Sequence, residues 1–127
     1  MKYLCIGYFD RDKMDASPKE DVEQAMSQCE PHLQEFYNSG QVLIDAGLDV
    51  ESRLLHRMDG KVRMLDGPFA ETKEMIGSVF IIEAQDMEEA ARAASLHPAV
   101  QVDAGERFGW RIEIRPIHYY KTSTPEA

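Results

Sequence analysis

The chain has only two cysteines among its 127 residues, Cys5 and Cys29, too few for the disulfide framework of a small secreted domain. Neither belongs to a Cys-x-x-Cys pair, and the four histidines show no His-x-x-x-His or Glu-x-x-His spacing on a helical face, so no metal site is predicted. A Gly-rich phosphate loop and a Gly-x-Ser-x-Gly elbow are also missing. We therefore expect chemistry without a cofactor, or ligand binding alone.

Basic residues are scarce, with 14 lysines and arginines against 23 aspartates and glutamates, and the formal net charge is −9. A field of this sign repels phosphate backbones and anionic membranes, so we expect no nucleic-acid partner. The apolar runs are far shorter than the roughly 20 residues that span a bilayer. The start, MKYLCIGYFDRD, lacks the apolar stretch and cleavage site of a secretory signal. These absences predict a cytoplasmic protein without a membrane partner.

What is present fits one globular domain. The hydrophobic content of 43% and charged content of 29% are ordinary, and no internal repeat interrupts the chain. We expect a single domain over residues 1–120 and a flexible C-terminal tail over 121–127.

The first third of the sequence predicts a strand and a long helix. KYLCIGYF at 2–9 is an apolar strand, bounded by the polar cluster DRDKMDASP. Ser17-Pro18-Lys19-Glu20 predicts a helix start with Ser17 as the cap. Apolar residues recur at the helical period as far as Tyr37, and Gly40 predicts a left-handed end. Pro31 lies inside this helix and predicts a kink near residues 29–31.

The remaining sequence predicts five strands and a second helix. VLIDAGLDV at 42–50 is a strand, and Asp59-Gly60 between 53–58 and 61–66 is typical of a hairpin turn. IGSVFIIEA at 76–84 is apolar on both faces, as in a central strand. Asp86 and Glu89 form a capping box for a helix that Pro98 ends, and WRIEIRPI at 110–117 alternates as a final strand.

This order predicts an α+β fold of the ferredoxin-like βαββαβ type with an extra hairpin. Its antiparallel sheet carries two helices on one face. A central strand as apolar as 76–84 would leave a large exposed patch on the other face. We therefore expect a homodimer in which two sheets meet face to face.

The most distinctive motif is DGPFAETKE at 66–74. With Gly47-Leu48, His97-Pro98 and EIRP at 113–116, it resembles the DGPF branch of the YCII-related family over nearly the whole chain. The resemblance implies a dimeric α/β barrel with a cleft in each subunit. It also implies a His-Asp pair as the suggested catalytic feature, which serves in a dehydrochlorinase-like relative.

Three residues correspond to this catalytic feature and are the catalytic candidates. The histidine of the first helix is His32, the motif aspartate is Asp66, and the His-Pro step supplies His97. Asp66 is a general base or bonds the amides of its own turn. His97 exchanges protons or caps a helix C-terminus, and His32 is a catalyst or a partly buried, satisfied histidine.

The three candidates for ligand binding are Glu71, Lys73 and Arg115. Lys73, between Glu71 and Glu74, binds an anionic ligand group or forms weak ion pairs on a solvated loop. Arg115 clamps a carboxylate or joins a charge ladder with Arg111 and Glu113.

Two functions remain open. The first is a cofactor-independent enzyme that uses Asp66 and either His97 or His32 for proton transfer or elimination on a small oxygenated or anionic metabolite. The alternative is a noncatalytic ligand-binding or regulatory module. DGPF relatives often occur beside extracytoplasmic-function sigma factors, so the resemblance gives this alternative a regulatory setting.

Overall fold

A computed structural model of the chain describes residues 1–67 and 74–123. Its strands are β1 (Lys2–Asp10), β2 (Val42–Gly47), β3 (Arg53–Met58), β4 (Lys61–Asp66), β5 (Glu74–Glu83) and β6 (Arg111–Pro116). Its α-helices are α1 (Arg11–Asp15), α2 (Lys19–Asn38), α3 (Met87–Ala94) and α4 (Ala104–Phe108), and a 3₁₀ turn spans Pro98–Val100.

Four strands form one antiparallel sheet in the order β2-β5-β1-β6, while β3 and β4 form a separate two-stranded hairpin. Without the hairpin, the sheet has the strand order of a ferredoxin-like fold. The predicted α+β class, central strand and inserted hairpin are therefore confirmed.

The main core lies on one face of this sheet. Tyr3 and Cys5 of β1 and Phe80 and Ile82 of β5 point to this face and are at most 2% exposed. Phe36 from α2 packs on them, as do small side chains from α3 (Ala90, Ala93 and Ala94). The alanines let α3 approach the sheet closely, so two helices cover one face as the apolar stripes predicted.

The opposite face of the sheet has less cover. Leu4, Ile6 and Val79 are only half-buried there, and Ile44 of β2 is 48% exposed. Arg115 lies on the same face, since its neighbour Ile114 pairs with Cys5 and packs on the core. The alternation predicted for the last strand is therefore present.

The hairpin β3-β4 is exposed along almost its whole length. Every residue of its two strands except the half-buried His56 is exposed, although half of the strands' side chains are apolar. Asp59 and Gly60 both take positive φ, 52° and 76°, which is the conformation of a tight primed turn. The hairpin and its turn were thus predicted correctly.

The start of α2 differs from the prediction. Ser17 is not the cap of α2, whose N-cap is Pro18 without a side-chain hydrogen bond. The Ser17 hydroxyl instead donates to the Lys13 carbonyl at the end of α1, a helix missed because its residues are almost all polar. Helix α2 runs without interruption through the exposed Pro31, so this proline does not split the helix, and the kink near residues 29–31 stays a prediction.

Of the remaining helix boundaries, two are as predicted and two are not. Gly40 has φ of 75° just after α2, as a left-handed helix end requires. The Asp86 side chain accepts from the Glu89 amide at 2.9 Å. Helix α3 ends at Ala94 rather than continuing to Pro98, and α4 was not predicted because it contains only five residues.

Candidate functional site

A cleft of about 670 Å³ opens over the helix-packed face of the main sheet, beside the core. Its lining comes from β1, α1, α2, β2, β5 and the segment after α3. Most of the lining side chains are apolar, among them Met14, Met26, Leu33 and Trp110. The size and the apolar walls suit a small organic molecule.

The floor of the cleft is made of residues with little or no side chain. Gly7 and Ser78 pair across β1 and β5, and the register shifts next to them, so that Gly77 is an extra residue. A Cβ on Gly7 would overlap the Ser78 hydroxyl, and one on Gly77 would come within 2.9 Å of the Phe9 ring. Close packing therefore requires glycine at both positions.

His97 lies at the inner end of this cleft, in the segment between α3 and the 3₁₀ turn. Its ring stacks on Phe80 with a centroid distance of 4.9 Å and an angle of 2°, and meets the Phe36 ring edge-on at 5.2 Å. The Ala99 amide donates to His97 Nδ1 at 3.0 Å. The imidazole is thus fixed by two aromatic rings and one hydrogen bond.

The second nitrogen of His97, Nε2, is free to meet a ligand. No hydrogen bond involves it in the parts of the chain that the structure describes, and no fully buried side-chain nitrogen or oxygen there lacks a partner. Nε2 must therefore touch solvent. Because Nδ1 accepts a hydrogen bond, the neutral ring has its proton on Nε2.

A carboxylate accompanies His97, but it is Asp45 and not Asp66. Asp45 of β2 pairs with Phe80, and the His97 ring stacks on the Phe80 ring. Asp45 and His97 both line the cleft. The Tyr37 hydroxyl donates to Asp45 Oδ2. This hydrogen bond, together with burial, raises the pKa of Tyr37 to about 12, so Tyr37 stays a phenol that orients the carboxylate.

Two opposing effects set the charge of His97. Burial among aromatic rings lowers its pKa, and the negative charge of Asp45 acts in the opposite direction. The first effect is larger, so the imidazole is neutral at neutral pH. A neutral imidazole and an oriented carboxylate can share the movement of one proton.

Asp66 lies elsewhere, at the end of β4 in the hairpin. Its carboxylate accepts from Arg53 Nε at 3.0 Å, and its side chain is 80% exposed. No hydrogen bond or ion pair joins Asp66 to a histidine within residues 1–67 and 74–123. A single subunit therefore does not bring Asp66 together with His97 or His32.

The other candidates are also outside the cleft lining or outside the described residues. His32 is half-buried on α2, one residue before Leu33, which does line the cleft. Arg115 is exposed on the opposite face of the sheet. Glu71 and Lys73 fall in the segment 68–73, as does most of the DGPF motif, and lie outside the described residues.

Sequence reasoning missed Asp45 and Tyr37. The signal for Asp45 was present, because a carboxylate on the core-facing side of an otherwise apolar strand is unusual. Tyr37 was interpreted only as part of the apolar stripe of α2. Nothing in the sequence alone showed that β2 would place Asp45 beside Phe80 and thus beside His97.

The described ranges hold neither a metal cluster nor a membrane-spanning helix. No group of three or more metal-ligating side chains occurs in them. Within the same ranges, no helix is both long and apolar enough to cross a membrane.

Comparisons with known proteins identify one family, and the similar proteins include the following two. The family model described as the YCII-related domain matches residues 1–109. An uncharacterised protein of Rhizobium meliloti (strain 1021) is 27% identical over 123 residues, which are 95% of each chain. A solved structure of 5-chloro-2-hydroxyhydroquinone dehydrochlorinase from Burkholderia phenoliruptrix AC1100, in complex with 2,5-dihydroxybenzoquinone, is 16% identical. The similarity covers 94% of this chain and 96% of the other, with a TM-score of 0.44.

Proposed function

The chain belongs to the YCII-related family, and from this premise we propose that it is a cofactor-independent enzyme that moves a proton on a small oxygenated molecule. The observation that carries the proposal is the state of His97 in the cleft. Its Nδ1 is occupied by the Ala99 amide, its Nε2 is open, and Asp45 lies beside it.

In this proposal His97 acts as a hydrogen-bond donor. The neutral ring presents Nε2–H to the cleft, where it can donate to a carbonyl oxygen of the ligand. Burial strengthens such a bond, because few waters compete for the donor. The aromatic contacts with Phe80 and Phe36 hold the ring in one orientation, so no reorganisation is needed when charge develops on that oxygen.

Asp45 supplies the base. Its Oδ2 accepts from Tyr37, which leaves the other oxygen available to take a proton from a carbon next to the carbonyl. The electron pair of the broken C–H bond forms a carbon–carbon double bond, and the carbonyl electrons move to the oxygen held by His97. Return of the proton to another carbon isomerises the ligand, whereas departure of a neighbouring leaving group with its electron pair completes an elimination.

This assignment gives Asp66 a different place from the one expected for the family motif. Its ion pair with Arg53 joins the two strands of the hairpin, so its first role in the proposal is to stabilise the hairpin. His32 does not contact the ligand in the proposal, because it is outside the cleft lining and only precedes the cleft residue Leu33 on α2. Arg115 belongs to the surface that we propose as the dimer interface.

Hydrogen–deuterium exchange tests the proposal on several classes of compound at once. A panel of small ketones, keto acids and hydroxyquinones is incubated with the protein in D₂O, and loss of C–H signals is followed by NMR. We expect catalysed exchange for one class of compound. His97→Gln and Asp45→Asn should each slow it by about 10²–10⁴-fold, the usual contribution of a positioned acid or base.

His118→Gln is the matched control, since His118 is exposed and does not line the cleft. It should exchange protons as fast as the wild type. Asp45→Asn is preferred to alanine because the amide oxygen still accepts from Tyr37. A compound that binds the cleft but whose exchange is equal with and without protein would favour the noncatalytic binding module instead.

We also infer that the protein works as a homodimer. Two apolar surfaces support this: the less covered face of the main sheet, and one side of the hairpin, where Leu55, Val62 and Met64 are 61–68% exposed. Apolar areas of this kind usually mark an interface, and a twofold pair of identical chains is the commonest way to bury them.

A further inference from the structure

We propose that Arg11 binds the acidic group of an elongated, largely apolar ligand at the end of the cleft opposite His97. This inference rests on the proposed function, because it assumes that the ligand occupies the same cleft. It adds a substrate class, aromatic or unsaturated acids, and a residue that selects it.

Arg11 is unusual among the residues that line the cleft. It is the only lysine or arginine among the described lining residues, and it is half-buried. Within residues 1–67 and 74–123 its guanidinium has no hydrogen bond or ion pair. Asp15, one turn later on α1, lines the cleft as well but forms no ion pair with it. A half-buried cation without a partner favours an anion brought by a ligand.

The distance along β1 sets the length of that ligand. His97 stacks on Phe80, which pairs with Cys5, and Phe9 is four residues further along the strand. A strand rises about 3.3 Å per residue, so the two ends of the cleft are roughly 13 Å apart. Arg11 follows two residues after Phe9 and can reach back with its long side chain. One ring with a short acidic arm spans this length.

The surface between the two ends suits a flat apolar body. Phe9, Met14 and Trp110 contribute apolar walls, while Gly7 and Gly77 leave the floor without side chains. A guanidinium recognises a carboxylate with two parallel hydrogen bonds. Since the net charge of −9 repels anions at long range, selection of an acid must come from this local contact.

Three probes with the same ring and arm test the proposal: cinnamate, cinnamamide and cinnamylamine, which are negative, neutral and positive at neutral pH. Their dissociation constants are measured by calorimetry and NMR titration. We expect cinnamate to bind roughly tenfold more tightly than cinnamamide, as a charge-assisted contact should. Arg11→Gln should abolish this preference, and Arg11→Lys should keep part of it. Arg92→Gln, at an exposed position of α3 outside the cleft, is the matched control and should keep all of it.

Gly47→Ala shows whether the probes occupy the cleft. A Cβ there meets no atom within 4 Å, so the methyl group enters open space of the cleft without disturbing the protein. We expect weaker binding of all three probes.

Equal affinity for acid and amide, or a preference that survives Arg11→Gln, would overturn the role of Arg11 and leave the proposed function intact. Tighter binding of the amine would overturn it in favour of Asp15. No binding of any probe would overturn the ligand class itself, while the exchange experiment would still decide the function of His97.

Discussion

Similar fractions of the side chains are apolar in the strands of the main sheet and in the hairpin β3-β4, but the two elements differ in how far these side chains are buried. In β5, the core-facing Phe80 and Ile82 are 0% exposed. In the hairpin, Leu55 and Val62 are 61% and 68% exposed. One face of the main sheet is covered by helices of its own chain. The outer side of the hairpin, which carries Leu55, Val62 and Met64, is covered by nothing in the described part of the chain.

This difference separates two kinds of stability. Residues of the main sheet are buried in a single subunit, so their contribution is independent of protein concentration. Apolar residues of the hairpin can contribute only when a second molecule covers them, and their contribution then follows mass action. Paired variants, one in the main body and one in the hairpin, separate the two kinds.

Truncation of a core side chain should have the largest effect. Ile82→Ala removes a fully buried side chain and should lower the free energy of unfolding by about 2–5 kcal/mol. Leu55→Ala, the matched truncation in the hairpin, should change it by less than about 0.5 kcal/mol in dilute solution. Urea denaturation monitored by circular dichroism gives both values. Equal losses in the two variants would show that the hairpin is buried within one subunit.

Disruption of the proposed dimer should have the next largest effect. Leu55→Glu with Met64→Glu places two charges on the outer side of the hairpin, where the two residues pair across the strands. If a second subunit covers these side chains, each substitution removes about 1.5–3 kcal/mol of free energy gained by apolar burial at the interface, and the dimer dissociates. Light scattering after size-exclusion chromatography should give the mass of one subunit, with an unchanged circular dichroism spectrum.

The matched control is Lys61→Glu with Arg63→Glu, which places two negative charges on the other side of β4 without touching Leu55, Val62 or Met64. This control should remain dimeric. A wild-type protein that is monomeric at all concentrations would contradict the interface, and so would a variant with Leu55→Glu and Met64→Glu that has the mass of a dimer.

Much of the fold was predictable because its signals are local. The register of the hairpin follows from Asp59-Gly60, and the start of α3 follows from Asp86 and Glu89, residues that interact within a few positions of each other. Helix α1 was missed because its polar residues show no apolar stripe. Ser17 fits a cap by its neighbours in sequence, yet the end of α1 uses its hydroxyl first.

The site was less predictable because it depends on contacts between distant segments. His97 meets Phe36 and Phe80, which are 61 and 17 residues away in the sequence, and Asp45 reaches it only through the pairing of β2 with β5. The family motif favoured Asp66, whose partner in the subunit is Arg53. A motif predicts which residues matter more readily than it predicts which of them meet.

A smaller effect is expected where a side chain acts on the surface. Asp86→Ala removes the N-cap of α3 and should cost about 1 kcal/mol of stability. Asp66→Ala breaks only the exposed pair with Arg53, which is worth roughly 0–1 kcal/mol, so it should cost less. Thermal unfolding of both variants gives the order. A larger loss for Asp66→Ala would mean that Asp66 has a buried partner in the assembled protein.

The smallest effect is in the pH dependence of stability, and it depends on the burial of His97. Burial lowers the pKa of His97 below its ordinary value of 6.5, so the unfolded chain takes up a proton at a higher pH than the folded one. Stability is therefore complete above pH 6.5, falls as the pH drops toward the lowered pKa, and levels off below it. His97→Gln removes this part of the slope, so the stability difference between wild type and variant should shrink in acid. His56→Gln makes the same substitution in the hairpin. Comparison of the free energy of unfolding against pH for the two variants shows which histidine causes the slope. A wild-type slope that persists unchanged in His97→Gln would show that its imidazole is not held neutral by the aromatic rings around it.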